Sequence, residues 1–227
     1  MGRRSALKAL FSAFLFVFPW RVRRVLLNRV LGYRIHRTAR IGFSMILVDK
    51  LEMGPRSRIA NLTVCKGLAL LQMGEWSSIG NLNQITGFPA YDTSYFSAER
   101  DRRPELILGR HAAVTERHII DCTNSVRIGD FATFAGYRSL ILTHNLDLHE
   151  SRQTSQPVAI GDYCFVGTCS IILSGTALPD HSVLGAGSLL NRTFTETHYL
   201  YAGSPAKPVK PLPVETGYFQ REMGPVH

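Results

Sequence analysis

Residues 160–189 read "IGDYCF VGTCSI ILSGTA LPDHSV LGAGSL", five hexads that each open on an aliphatic residue: Ile160, Val166, Ile172, Leu178 and Leu184, with Leu190 opening a sixth. The fifth position of each hexad is small or thiol-bearing, namely Cys164, Ser170, Thr176, Ser182 and Ser188. A helix would repeat every 3.6 residues and a half-buried strand would alternate strictly, so neither predicts an apolar residue at every sixth position. A coil does. If each hexad is one flat strand plus a corner, three hexads close a triangular turn of eighteen residues, with the aliphatic inside and the small fifth residue in the tight corner. No single turn could fold alone; stacking is what buries the column.

Upstream the same count recurs with interruptions. Leu108, Val114 and Ile120 are six apart, "CTNSVRIGD" adds two residues, and Ile128, Phe134 and Leu140 resume. Earlier still, Met53-Gly54, Ile59, Met73-Gly74, Ile79-Gly80 and Ile85 carry weaker turns. Between them "TGFPAYDTSYFSAERDRRPE" (86–105) has no period and many turn residues, which predicts a protruding loop. A second break is "LTHNLDLHES" (142–151): the interval from Ile128 to Ile160 exceeds one turn by fourteen residues, so a loop near 143–158 is extruded just after His144. Loops of that kind carry function more often than stability.

At 227 residues and 45% apolar, the chain can bury one substantial core, or one domain plus an appendage. Cys65, Cys122, Cys164 and Cys169 show neither metal spacing nor a disulfide framework and read as small buried thiols in a reducing compartment. The formal charge of +9 is uneven: residues 1–40 hold ten Lys or Arg and no acid, and the remainder holds sixteen against seventeen acids. Within this arm "ALFSAFLFVF" (9–18) is unbroken apolar and small residues, too short to span a bilayer. "FPWRVRR" offers no small-residue cleavage site for an export signal. Beyond Pro19, Val22, Val25, Leu26 and Val30 share one helical face and Arg21, Arg24 and Asn28 the opposite one. That pattern suits an anionic membrane surface. An apolar side packed on the chain's own domain, or closing an oligomer, is the alternative. Nucleic acid is disfavoured because stacking platforms and recognition motifs are missing. The expected plan is therefore an arm over 1–40, a repeat domain over 41–210 and a tail over 211–227.

At "VRIGD", "LTHNLDLH", "PVAIGDYCFVGT", "VLGAGSLL" and "YAGSPAKPVK" the sequence resembles the hexapeptide-repeat acyltransferases, strongly over 126–210. The resemblance implies an all-β fold, the left-handed parallel β-helix, here with an N-terminal basic amphipathic helical arm. It also implies transfer of an acyl group, most often acetyl from acetyl-CoA, by a homotrimer with its sites between adjacent subunits and no metal. Placed with the basic arm, it points to O-acetylation of a cell-envelope saccharide or lipid-linked precursor. The expected location is cytoplasmic, peripheral on the inner face of the cell membrane. Amino-sugar N-acylation and small-molecule acetylation are the runners-up.

An alcohol attacks a thioester poorly unless a base of near-neutral pKa lies within hydrogen-bond reach, and histidine is the natural candidate. His144 matches the family's base position. Asp147 could orient either loop histidine, touch the acceptor or simply be solvated; Asn145, His149 and, from the preceding turn, His118, Asp121 and Asn124 are candidates for the acceptor cleft, with His118 as readily a satisfied structural residue. For CoA the resemblance points to the amides of Thr168 and Ala186, eighteen residues apart on one edge, with Gly167, Gly185 and Gly187 permitting close approach. It further points to Arg192 and Lys207 for the phosphates. Phe165 stands where the family commonly has tryptophan. Two rivals share the fold. A zinc lyase of the gamma carbonic anhydrase kind would use the HxxxxH pair His144 and His149, but Thr168 and Leu173 occupy the usual ligand positions. A non-catalytic trimeric scaffold would have no need of a histidine at the base position.

Overall fold

The computed structural model describes residues 3–91, 94–96, 98–99 and 101–224. Short parallel strands wind through three sheets of seven, nine and seven strands, one strand of each sheet per coil. The first sheet runs from Arg34–Ile35 to Ala177–Leu178, the second from Arg40–Ile41 to Lys207–Pro211, and the third from Met45–Leu47 to Leu189–Leu190. In the regular coils the register is eighteen residues: Ala159 pairs with Ala177, Phe165 with Val183 and Ile171 with Leu189. The first coil opens at Arg34, inside the segment expected to be arm.

The hexads do what their chemistry requires. Ile160, Val166, Ile172, Leu178, Leu184 and Leu190 form a continuous buried column. Each such side chain taken out of water contributes about 1.5–3 kcal/mol. The fifth-position hydroxyls turn back on the corner: Ser170 Oγ donates to Gly167 O at 2.9 Å and Thr176 Oγ1 to Leu173 O at 2.7 Å. The corner strain falls on the fourth position, where Tyr163, Cys169, Gly175, His181 and Gly187 all adopt left-handed φ. Non-glycine residues there cost of order 1–3 kcal/mol each. On one edge stacking offsets part of that cost: Phe131, Tyr163, His181 and His198 lie face to face at 4.7–5.1 Å. The tail 211–224 straps this column, with Phe219 against His181 and His198 and Tyr218 Oη donating to Cys164 O at 3.0 Å. Cys65, Cys122 and Cys164 are buried thiols, whereas Cys169 is exposed because its corner turns it outward.

Two helices, α1 (Arg3–Phe14) and α2 (Trp20–Leu31), cap the first coil. Pro19 enters α2, and Gly32 ends it at φ 69°. The face of α2 that meets the domain only partly follows its hydrophobicity: Leu26 and Leu31 pack on the core beside Leu27, but polar residues join them. Arg23 and Leu27 are buried, Arg23 donates to Gly42 O at 3.0 Å, Trp20 Nε1 to Ala39 O at 2.9 Å and Asn28 Nδ2 to Ile35 O at 3.2 Å, while Val22, Val25 and Val30 are exposed. The end of a coil stack presents unpaired carbonyls, so donors on the capping helix are worth more there than aliphatics.

The outward faces of the three sheets differ. Along the first, Arg34, Glu52, Gln72 and Arg127 alternate with apolar positions. Along the third, Met45, Val64, Ile119, Leu140, Ile171 and Leu189 lie in line, interrupted only by Gln84.

Candidate active site

The break after Ile141 is an antiparallel hairpin, His144–Asp147 against Arg152–Ser155, projecting from the edge where the third sheet hands the chain back to the first. Its first residue is the site's centre. His144 Nδ1 lies 2.8 Å from Asp121 Oδ2, and the side chain is 36% exposed. A carboxylate only accepts, so Nδ1 carries the proton and Nε2 is left with its lone pair.

Asp121 is buried and saturated with donors. Thr123 Oγ1 donates to Oδ1 at 2.6 Å; Thr143 N, Thr143 Oγ1 and His144 N donate to Oδ2 at 2.9, 2.8 and 3.1 Å. Burial alone would push this carboxyl up, but the hydrogen bonds from Thr123, His144 and Thr143 outweigh it and hold it below its ordinary value. Asp121 therefore stays ionised and fixes both the tautomer and the direction of His144, an orienting role that was one of the readings open for Asp147. Asp147 instead closes the hairpin tip, accepting from His149 N and Glu150 N at 3.0 Å each.

The other expected acceptor residues separate into two groups. His118 is fully buried, accepts from Ser139 N at Nδ1 (3.1 Å), sets Nε2 against Thr115 Oγ1 at 2.9 Å and packs on Phe134. Burial pushes its pKa down to about 4, so it is a neutral core residue and does not face the cleft. Asn124 braces the hairpin, its Nδ2 donating to Ser155 Oγ at 3.1 Å. Asn145 turns its Oδ1 onto Leu146 N at 2.8 Å and is exposed, as is His149. Among the described residues no group of three or more His, Cys, Asp or Glu converges as a metal site.

Loop 86–105 does not protrude in its described part. Phe88 meets His144 edge-on at 6.4 Å and packs on Tyr95 and Phe96 at 5.5 Å each. Buried Arg102 lies 4.5 Å over the Phe96 ring and donates to Phe88 O at 2.6 Å, Pro89 O at 2.9 Å and Thr123 O at 3.0 Å. Glu99 accepts from Ser155 N at 2.7 Å and from Ser155 Oγ, directly across the hairpin from His144. The loop thus walls one side of the histidine with aromatic rings. Nothing in its aperiodic sequence signalled that, because the contacts tying the loop to the site span 21 residues (Arg102 to Thr123) and 56 residues (Phe88 to His144, Glu99 to Ser155).

Thr168 and Ala186 stack one coil apart at the opposite edge of the third sheet. A Cβ on Gly167 would meet Ala186 N at 2.5 Å, so glycine is what lets the two corners close. Gly167, Cys169, Gly185 and Gly187 spend their amides on neighbouring coils, whereas among the described residues the amides of Thr168 and Ala186 donate to no protein acceptor. Lys207 pairs with Ala202 beside this column. Arg192 follows Leu189–Leu190 and so lies at the other edge, the one that carries His144. Gly167→Ala should cost about 1–3 kcal/mol, the usual range for overpacking. A thermal melt checks it, and an unchanged midpoint would show that the corners can spread.

Among solved structures the chain resembles the polysialic acid O-acetyltransferase OatWY, with a TM-score of 0.60 and 18% identity over 79% of this chain and 84% of that one. The chain has the left-handed parallel β-helix of the hexapeptide-repeat acetyltransferases. It is also similar to a hexapeptide-repeat acetyltransferase of Vibrio cholerae complexed with acetyl coenzyme A, at 20% identity and TM-score 0.49 over 63% of this chain and 71% of that one. A further similar structure is AntD, an N-acyltransferase of Bacillus cereus, at 13% identity and TM-score 0.49 over 84% of this chain and 89% of that one. No family model and no curated protein matches the chain.

Proposed function

We propose that this protein moves an acetyl or other short acyl group from acyl-CoA to a sugar hydroxyl of a cell-envelope polysaccharide or its precursor. The observation that carries the reading is the buried Asp121 carboxylate holding His144 Nδ1 at 2.8 Å in a part-exposed ring that Phe88 meets edge-on. Acyl-CoA supplies an activated thioester. The acceptor hydroxyl gives its proton to His144 Nε2 as its oxygen bonds to the thioester carbonyl carbon; the C–S bond then breaks and the protonated histidine returns the proton to the departing sulfur. His144 ends as it began, and Asp121 stabilises the transient imidazolium without being protonated.

The stacked open amides of Thr168 and Ala186, with Lys207 beside them, fit an extended acyl-donor arm with an anionic end. Within one chain those amides lie across the third sheet from His144. Tyr137, paired to the Thr168 corner, and His144 are separated by the width of the third sheet, at most roughly 20 Å for seven residues. The apolar outer face of the third sheet lies between them, and a homotrimer packed on that face would bring one protomer's amide edge to its neighbour's histidine edge. Such a trimer would work peripherally on the inner face of the cell membrane, where lipid-linked acceptors are presented. OatWY is by name an O-acetyltransferase of polysialic acid, so sialylated polymers head the acceptor panel.

The test is thiol release from acetyl-CoA with a panel of saccharides, joined to mass spectrometry of glycans from strains with and without the protein. An acetyl mass lost with the protein supports the reading. A protein that binds no acetyl-CoA, with glycans unchanged, would sink it.

A further inference from the structure

We infer that the outer face of the helical cap is a docking surface for an anionic membrane, deepening the membrane placement proposed above. The cap divides sharply into two sides. Its inner side is committed to the first coil through Leu15, Leu27, Arg23 and the bonds from Trp20 and Arg23 to Ala39 O and Gly42 O. On the outer side Leu7, Leu10, Phe14 and Val17 are 64, 69, 61 and 79% exposed. Their spacing of three, four and three residues puts them on one face of a continuous helical segment. Val22 and Val30 of α2 are exposed as well. A cluster of large aliphatic and aromatic side chains held open to water marks an interaction site.

Two observations select the occupant. The residues that the cap covers, Ile35, Ala39, Gly42 and Val48, all belong to the first coil, so the cap closes one end of the solenoid. The apolar outer face of the third sheet runs along the coil axis instead. Protomers associating through that sheet leave the cap uncovered and turn every copy's outer face the same way. The second observation is charge: residues 1–40 carry ten Lys or Arg and no acid, and Arg21 and Arg29 are exposed on α2, Arg29 beside the exposed Val22 and Val25 on the same helical face. Exposed apolar side chains on the cap, with exposed cations on α2, match the interface of a bilayer rich in anionic lipid. Among the described residues no helix is long and apolar enough to cross a membrane, and a docked cap would lie in the interface plane.

The test uses purified full chain and sedimenting vesicles of phosphatidylcholine alone or mixed with phosphatidylglycerol. The protein should pellet with the mixed vesicles, stay largely in solution with phosphatidylcholine, and be released in part by salt. The Leu10→Glu/Phe14→Glu variant, altered only at exposed positions, should lose at least about tenfold in partition while keeping its circular dichroism, its size by light scattering and its affinity for acetyl-CoA. Arg21→Gln/Arg29→Gln, a second variant that adds no charge to the apolar face, should lose the preference for phosphatidylglycerol. Wild-type protein that stays in solution with mixed vesicles would overturn the inference. So would glutamate variants that pellet equally, or that dissociate into smaller species, which would assign the face to a second copy of the chain. Acyl transfer to a water-soluble acceptor, assayed on the same preparations, reports separately on the proposed chemistry.

Discussion

Replacing His144 with alanine is expected to lower turnover at least about a hundredfold, the lower end of what a positioned general base contributes, while acetyl-CoA still binds. The affinity should survive because the stacked amides of Thr168 and Ala186 lie at the opposite edge of the third sheet, and neither they nor their coil partners touch His144. The ring is partly exposed, and its one side-chain hydrogen bond goes to Asp121, so its loss should leave the coil stack intact. Steady-state kinetics with a binding isotherm for acetyl-CoA separates the two effects. Undiminished turnover would remove His144 from the chemistry; lost CoA affinity would mean that the histidine edge holds the donor.

Asp121→Asn should reduce turnover by about two to four orders of magnitude at nearly constant volume, because an amide can donate to Nδ1 and so hold the ring in the tautomer whose Nε2 carries the proton and accepts nothing. The same substitution has a second signature. The folded-state pKa of Asp121 lies below that of the unfolded chain, so its contribution to stability is fully present above the unfolded value near about 4 and is lost as pH falls through the folded value. The wild type should therefore lose its stability advantage over Asp121→Asn on acidification below about pH 4. His118 adds an acid sensitivity at higher pH, since it stays neutral to about pH 4 when folded but protonates near 6.5 when unfolded; it is common to both proteins and cancels in the difference. Melts across that range read the effect. A difference between the two proteins that ignores pH would mean that Asp121 is not held as a carboxylate, and turnover unchanged in Asp121→Asn would end its role as the orienting group.

The proposed catalytic pair, His144 and Asp121, was half legible in the sequence. His144 was visible because it interrupts a count: the hexads stop at Leu142 and resume at Val158, and the chain between has to leave the wall. Asp121 was visible only as a polar residue in the preceding turn, since nothing in a linear spacing of twenty-three residues distinguishes a carboxylate beneath the ring from one at the hairpin tip. Asp147, three residues from His144, was the nearer choice along the chain; the hairpin turned it onto its own backbone amides instead. His118, one coil from the site, could be read from the sequence either as a cleft residue or as a satisfied structural one, and packing against Phe134 with both ring nitrogens engaged decides for the core.

The coil architecture is local information written repeatedly. An aliphatic and a small residue recur every six positions, each hexad specifies the same strand and corner, and stacking of like on like needs no further instruction. The stacking of Thr168 on Ala186 follows from that count alone. The arm could be read as basic, apolar and helical, yet which of its faces meets the domain depends on the carbonyls at the solenoid's open end, and these favoured Trp20, Arg23 and Asn28 over the aliphatic stripe. Loop 86–105 carries no period, so its closure over His144 through Phe88, Arg102 and Glu99 is a property of tertiary contact. Repetition determines the scaffold because each repeat meets its own copy; the working edge is made where repetition stops, and there only the folded chain decides which side chains meet.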